Sequence, residues 1–268
     1  MNQTVPKPDF PQIVFSCYHS RSREGEQFVG EHVLTYQISG TLVLIDGHKT
    51  YISNPGDFRF TKRNNLVKFS KYPPEGGEFK SLSVHIDQET LRKFSLDYEY
   101  HIEPHQEKNA VIELPPHKLL KSYMDSLLPY YESDKTPNQQ LVALKLREAI
   151  LVLLQSYPEI KETLFDFSEP GKIDLEGFMN KHFHFNVQLK RFAYLTGRSL
   201  ATFKRDFEKI FHISPSRWLV QRRLEEAYYL IKEKGKAPSD VYLEIGFEDL
   251  SHFSFAFKKA YGVAPSRI

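Results

Sequence analysis

The stretch IGFEDLSHFSFAFKKAYGVAPSRI (residues 245–268) decides how the C-terminal part of this chain is interpreted. Phe253, Phe255 and Phe257 alternate with small residues, a period of two that is typical of a half-buried strand. The stretch also repeats an earlier one at an offset of fifty residues: LATFKRDFEKIF corresponds to LSHFSFAFKKAY, and ISPSR to VAPSR, without a gap. The earlier copy shows apolar residues every three or four positions and no alternation, so both copies are predicted to be helices.

Each copy has the parts of a helix-turn-helix. LKRFAYLTG and SDVYLEIG predict a short first helix that stops at Gly197 or Gly246, because glycine readily adopts the left-handed conformation that ends a helix. Ser199 and Asp249 then occupy the N-cap position of a second helix. Two short helices joined by a tight glycine turn form a helix-turn-helix. Between the units, PSRWLVQRRLEEAYYLIKEKGK predicts one longer connecting helix.

The second helix of each unit separates into a buried stripe and an outer face when residues are placed about 100° apart. The residues predicted to be buried are Leu200, Phe203, Phe207 and Ile210 in the first unit and Leu250, Phe253, Ala256, Phe257, Ala260 and Tyr261 in the second. The outer face carries the candidates for reading DNA bases, which are Ala201, Thr202, Arg205, Ser251, His252, Ser254 and Phe255. The candidates for phosphate contacts are Lys204, Lys209, Lys258 and Lys259.

The outer face suits the major groove of DNA, where a recognition helix presents its side chains. Arg205 is the strongest candidate for base readout, because a guanidinium can donate to O6 and N7 of guanine together. Phe255 fits a thymine methyl group, although it could instead pack against the connecting helix or the neighbouring unit. A basic helix face on its own is more often solvated, and the repeated helix-turn-helix favours DNA binding here.

Composition and charge are those of a globular chain with a basic end. Residues 171–268 hold 17 basic and 11 acidic side chains, while residues 1–170 hold 19 and 23, which favours a nucleic-acid partner for the C-terminal part. The sequence has no apolar run of about 18 residues and no apolar leader, so a cytoplasmic protein is expected. The single cysteine, Cys17, excludes an internal disulfide, and its apolar context IVFSCY predicts a buried strand rather than a catalytic thiol.

The segment 10–115 predicts short β-strands: HVLTYQI, TLVLI, KTYIS, FRFT, LVKFS and SLSVHI alternate with turn residues, including the hairpin signal Asp46–Gly47. Such strands suggest a sandwich or small barrel. Residues 116–158 predict two helices, and the second, with Leu141, Leu144, Ala149, Leu151, Val152 and Leu154, has so little polar surface that it belongs to a core or an interface. Residues 159–172 are interpreted as a linker.

The C-terminal third resembles the AraC-type transcription regulators, whose DNA-binding domain has two helix-turn-helix units joined by a long helix. The matching residues are Gly246, Phe247, Phe253, Phe257, Lys258, Lys259, Gly262 and Pro265, with Ala193, Gly197, Ser199, Phe203, Phe207 and Pro215 in the first unit and 223–227 in the connecting helix. The family often places an arginine at the position of Phe255, and this chain departs from that pattern. A type related to virulence or secretion regulators fits the resemblance.

The resemblance implies an α+β chain with three parts. Residues 1–115, through the stretch EHVLTYQISGTLVLIDGHKTYISNPGDFRF, resemble a cupin-like sensor barrel; 116–168 would form a helical dimerisation segment and linker; and 169–268 would form the DNA-binding domain, with units at about 189–210 and 238–261. It implies a sequence-specific regulator that binds double-stranded DNA as a homodimer through the helices in 116–158. A small-molecule or protein effector and RNA polymerase are the further expected partners.

A cupin-type enzyme or metal-binding protein with a helical appendage is the alternative. Metal-binding cupins carry an H-x-H pair with a further glutamate and histidine, whereas His32, His48 and His85 are isolated here. The H-x-H pair His182–His184 lies outside the barrel segment. NPGD predicts a turn rather than a phosphate-binding loop. The sequence therefore predicts no metal, no cofactor and no catalytic site; a stoichiometric metal bound at the barrel histidines would favour the enzyme.

Overall fold

The computed structural model describes residues 12–19, 27–47, 49–98, 109–130 and 138–268. Its strands are β1 Ile13–Tyr18, β2 Gln27–Val29, β3 His32–Ser39, β4 Thr41–Ile45, β5 Thr50–Ser53, β6 Phe58–Thr61, β7 Asn65–Tyr72, β8 Phe79–Ile86 and β9 Val111–Leu114. Within the described residues they form two antiparallel sheets, ordered β1-β8-β3-β6-β9 and β2-β7-β4-β5. The predicted short β-strands of the N-terminal segment are confirmed, and His48 lies outside the described residues.

In the described part of the chain, one helix lies between β8 and β9, and the other helices follow the last strand. The helices are α1 Gln88–Asp97, α2 Lys118–Asp125, α3 Gln139–Ser156, α4 Lys161–Leu164, α5 Leu175–His182, α6 Leu189–Leu195, α7 Leu200–Phe211, α8 Pro215–Lys232, α9 Pro238–Glu244 and α10 Leu250–Tyr261. The chain is thus a mixed α+β protein with a β-rich N-terminal part and a helical C-terminal part. No helix in the described ranges has the length and apolar character that crossing a membrane requires.

One hydrophobic core lies between the two sheets, and a second lies between the first sheet and the helices. Inward residues of both sheets, among them Leu42, Tyr51 and Phe79, form a buried cluster between them. On the other face of the first sheet, side chains such as Phe58 and Phe60 pack against the helices that follow. The alternation of a strand puts Arg59, between these phenylalanines, on the face between the sheets, where it is 2% exposed.

Two parts of the N-terminal segment differ from the sequence interpretation. α1 lies inside the segment interpreted as β. The Asp87 side chain accepts the Thr90 N–H, and Leu91 and Phe94 are buried. One N-cap and two buried apolar side chains are thus enough to form this helix. The segment interpreted as a linker begins with α4, and its Leu164 and the adjacent Phe165 are buried in the core. A short helix that contributes only two or three apolar side chains gives little periodicity to detect.

The turn predictions agree with the structure, and so does the strand predicted at Cys17, whereas the predicted burial of Cys17 is wrong. β4 and β5 pair across the Asp46–Gly47 turn, where Gly47 has a φ of 95°. The NPGD segment is a turn in which the Asp57 N–H donates to the Asn54 carbonyl oxygen. IVFSCY forms strand β1, but it lies at the end of its sheet and Cys17 is exposed. An edge strand buries less of each side chain than a central strand does.

The helical part has two cores that share α8. The first contains Phe192, Phe203 and Phe207, and the second contains Phe253 and Phe257. α8 contributes Leu219 to the first core and, among others, Leu224 and Ala227 to the second. The connecting helix is therefore a structural element of both units.

Candidate nucleic-acid interface

The second helix of each unit begins at the predicted cap. The Ser199 hydroxyl accepts the Thr202 N–H at 3.2 Å, and the Asp249 carboxylate accepts the His252 N–H at 2.6 Å. These bonds satisfy backbone donors that a helix start leaves unpaired. Both N-cap predictions are confirmed, and both helices are anchored at the end that enters the turn.

Only glycine fits at the two turns, because the backbone angles there disfavour other residues and because there is no room for a side chain. Gly197 has a φ of 64° and Gly246 a φ of 92°. A Cβ on Gly197 would lie 2.3 Å from the carbonyl carbon of Gly171, and one on Gly246 would lie 2.5 Å from the carbonyl oxygen of His184. Any side chain would displace backbone of the preceding segment, so each turn holds its first helix tightly against the body of the domain.

The predicted buried stripe is partly correct. Phe203, Phe207, Phe253 and Phe257 are fully buried, and Ala256 and Tyr261 are half-buried. The predictions for Leu200, Ile210, Leu250 and Ala260 are wrong: these residues are exposed, at 40%, 39% and 41% for the three large side chains. They lie in the first or last turn of their helices, and a helical projection takes no account of how far the packing partner extends along the axis.

The candidates for DNA contacts lie on the surface of α7 and α10. The exposed residues are Ala201, Lys204, Arg205, Lys209, Ser251, His252, Phe255, Lys258 and Lys259, and the half-buried ones are Thr202 and Ser254. Each helix thus presents small polar groups, cations and one large side chain on the same outer face. Such a surface can combine phosphate contacts with contacts to base edges.

Arg205 forms an ion pair with the neighbouring carboxylate of Asp206. Asp206 accepts a 3.2 Å hydrogen bond from the buried Arg198 guanidinium, which holds the pKa of the carboxyl below its usual value; the charges of Lys172 and Arg205 lower it further. Arg205 lies 3.6 Å from Asp206, and its side chain is 66% exposed. The guanidinium is therefore loosely tethered and accessible to a ligand.

Phe255 does not pack inside the protein. Its side chain is 70% exposed, while Phe253 and Phe257 on either side are fully buried. Of the two alternatives that the sequence leaves open, packing against the connecting helix or the neighbouring unit is thus wrong. The His252 side chain is more restricted than that of Phe255, because its ring packs edge-on against Phe247, with the ring centroids 5.4 Å apart.

Arg223 connects the second unit to the segment that precedes the first unit, and the sequence interpretation did not identify this role. Its guanidinium is buried and donates to the carbonyl oxygens of Phe183, Phe185 and Gly246, each at 2.8 Å. The first two carbonyls precede the first unit and the third belongs to the turn of the second unit. The only sequence signal was an arginine at a position of α8 that faces the core.

A second group of unpredicted contacts connects the sheets to the helical part. Lys68 on β7 donates to the carbonyl oxygens of Leu243 and Glu244 at the end of α9. The Tyr194 hydroxyl on α6 donates to Glu169 and lies 3.1 Å from the Asn64 Oδ1; burial and the bond to Glu169 raise the pKa of Tyr194 to about 12. These contacts are made by the first helix of each unit, so they do not cover the outer faces of α7 and α10.

The histidines of the sheet domain are not arranged as metal ligands in the described residues. His32 is fully buried, and its burial, followed by the charge of Arg63, lowers its pKa to about 3. Burial also lowers the pKa of His85. Across the described ranges, no cluster of three or more histidine, cysteine or acidic side chains could hold a metal ion. His182 and His184 lie near Gly47.

Two capped recognition helices in a repeated helix-turn-helix, attached to an antiparallel β-domain, define a DNA-binding regulatory protein. A model of the ExsA N-terminal regulatory domain matches residues 32–165, and a helix-turn-helix domain model matches residues 192–268. The thermoregulatory protein LcrF of Yersinia pestis is 31% identical over 255 residues, which are 88% of this chain and 90% of LcrF. The transcriptional regulator ExsA of Pseudomonas aeruginosa is 26% identical, over 86% of this chain and 83% of ExsA.

The solved structures include one of similar extent. A crystal structure of an apo ToxT variant from Vibrio cholerae aligns over 97% of this chain and 98% of its own, with 13% identity and a TM-score of 0.46. The chain belongs to the AraC family of transcription regulators. It is a DNA-binding transcription regulator with an N-terminal regulatory domain.

Proposed function

We propose that α7 and α10 both enter the major groove of double-stranded DNA and read its sequence. The observation that carries this proposal is that both helices are capped and expose a basic outer face at the same offset of fifty residues. Arg205 would donate to a guanine, and Lys204, Lys209, Lys258 and Lys259 would contact phosphates. Ala201, Thr202, Ser251, His252, Ser254 and Phe255 would lie against base edges.

Arg223 supports a fixed geometry between the two units. Because one buried guanidinium bonds to backbone on both sides, the units are expected to move together. We assign residues 169–268 to this DNA-binding domain, 1–115 to the sensor domain and 116–168 to dimerisation and linkage. The recognition helices would then enter successive segments of the major groove, about 34 Å apart.

The experiment that tests DNA readout uses DNA selected from random duplexes by the full-length protein. The selected duplex should bind tighter than a scrambled duplex, and the logarithm of its affinity should fall linearly with the logarithm of salt concentration. Lys93→Ala, on the exposed surface of α1, is the matched control and should bind as the native protein does. Equal affinity for selected and scrambled duplexes would refute sequence-specific binding.

A homodimer through α3 is the second part of the proposal. One face of α3 is buried in the core, while Leu141, Leu144 and Leu151 on the other are 46%, 61% and 42% exposed. Leucines three and seven residues apart form a stripe that a second copy of the same helix could cover. The cost of hydrating this stripe would then be removed by self-association.

The sheet domain is proposed to receive the signal, either a small molecule or a protein. The guanidinium of Arg59 is buried between the sheets, and its Nε and Nη1 make no hydrogen bond within the described residues, so the interior is the first place to look for an effector. A ligand that favours the folded protein raises its melting temperature, whereas a protein-controlled regulator with an empty interior would respond to no small molecule. As a bacterial regulator the protein would act on DNA in the cytoplasm, activating transcription together with RNA polymerase.

A further inference from the structure

The two recognition helices carry chemically different side chains at one equivalent position. Arg205 and Phe255 are fifty residues apart, the offset that relates the matched positions of α7 and α10. Both are surface side chains, 66% and 70% exposed respectively. The same place on the same fold therefore holds a hydrogen-bond donor in the first unit and an apolar ring in the second.

The surroundings of Phe255 indicate what kind of partner would cover its exposed ring. Ser251, Lys258 and Lys259 are exposed on the same side of α10, and Lys258 and Lys259 belong to its last turn. An exposed phenyl ring favours a partner that removes it from water, while the adjacent cations favour a polyanionic partner. In the major groove of DNA, the C5-methyl group of thymine is the apolar group among the base edges, and it lies between two phosphate backbones.

We propose that Phe255 contacts a thymine methyl group and that the second unit thereby recognises thymine where the first unit recognises guanine. The inference rests on the proposed function, because it requires α10 to enter the major groove. The inference also states how the two half-sites differ. The first unit would contact its half-site by a hydrogen bond from Arg205, and the second unit would contact its half-site by an apolar contact from Phe255. The operator is thus expected to be asymmetric within each bound protomer.

The test removes single methyl groups from the DNA. Full-length protein first selects its operator from random duplexes. The first half-site is located by the guanine whose replacement with 7-deazaguanine, which lacks N7, weakens binding by the native protein but not by Arg205→Ala. Each thymine of the other half-site is then replaced by deoxyuridine, and affinities are measured by fluorescence anisotropy for the native protein, Phe255→Ala and Phe255→Leu.

One deoxyuridine substitution should weaken binding of the native protein about fourfold, the factor that corresponds to the transfer of one methyl group from water. The same substitution should change the affinity of Phe255→Ala by less than about 1.5-fold, and Phe255→Leu should retain part of the effect. Because Phe255 is exposed, these variants are expected to fold, and their melting curves should match that of the native protein.

Three outcomes would overturn the inference: a second half-site selected without thymine, no deoxyuridine effect in the native protein, or an equal effect in Phe255→Ala. A Phe255→Ala variant that binds the operator normally but fails to support transcription by RNA polymerase would also overturn it and would place a protein against Phe255. DNA binding through α7 is judged separately. If selected DNA binds tighter than scrambled DNA, and Arg205→Ala reduces this advantage at one base pair, the proposed function stands whatever Phe255 does.

Discussion

Replacing Arg223 with methionine should destabilise the DNA-binding domain strongly, because the buried guanidinium donates to three backbone carbonyl oxygens. Methionine retains most of the aliphatic volume, so the main loss is the hydrogen bonds to Phe183, Phe185 and Gly246. Each buried acceptor left unpaired costs about 1–3 kcal/mol, and the three together should lower the free energy of unfolding by about 3–5 kcal/mol once their mutual dependence is allowed for. A domain whose free energy of unfolding lies well above about 5 kcal/mol, within the ordinary range of about 5–15 kcal/mol, remains folded after this loss.

Trp218 provides the assay. It is the only tryptophan of the chain, it lies on α8, and its ring packs on Phe207 at 5.5 Å and Phe211 at 4.7 Å. Its fluorescence during urea unfolding therefore reports on the core of the first unit. The midpoint and slope of the transition give the free energy of unfolding for each variant.

Arg222→Met is the matched control. Arg222 neighbours Arg223 on α8, but its side chain is 34% exposed and forms ion pairs with Glu225 and Glu226 at 3.8 and 3.5 Å. Exposed pairs of this kind contribute about 1 kcal/mol or less. If Arg223→Met lost no more stability than Arg222→Met, the reasoning that Arg223 connects the second unit to the segment preceding the first would be wrong.

The remaining predictions concern DNA, assembly and pH. Arg205→Ala should cost about 1–3 kcal/mol of specific binding and relax selectivity at one base pair, measured by anisotropy; an unchanged affinity for the selected site would remove its readout role. Lys258→Ala should weaken binding to all sequences and lower the salt slope by about one, and a loss restricted to one sequence would contradict a phosphate contact. Leu144→Asp should convert the dimer to monomer in sedimentation analysis, while an unaltered mass would exclude α3 as the interface. His32 is neutral in the folded state with a pKa of about 3, and the unfolded chain takes up a proton below about 6.5. The free energy of unfolding of the sheet domain should therefore fall as the pH drops, by about 2 kcal/mol at pH 5, and His32→Gln should lack this component.

The recognition helices could be predicted from sequence because their signals are local. Caps, turn glycines and the buried phenylalanines all lie within a dozen residues of each other, and the fifty-residue repeat supplies an independent copy of each. The exposure of Leu200 and Leu250 could not be predicted in the same way. It depends on where the neighbouring helix ends, and a helical projection contains no information about the neighbour.

The contacts that join distant parts of the chain had no sequence signal. Lys68 meets α9 across 175 residues, and the guanidinium of Arg63 donates to the carbonyl of Asp166 across 103 residues. In both cases a side chain bonds to backbone oxygens, which every residue possesses, so no complementary residue type marks the partner. Arg223 belongs to the same class, and its role required the fold.

The bonds from Lys68 to the end of α9 have a consequence for how signals and DNA influence each other. They place a strand of the regulatory domain against the second helix-turn-helix, so an event that displaces β7 acts on the unit that carries α10. Thermodynamic linkage makes such a coupling symmetrical: an effector that changes operator affinity by some factor has its own affinity changed by the operator by the same factor. Effector binding measured on protein without DNA would then differ from effector binding on the promoter, and the ratio of the two affinities would measure the coupling directly.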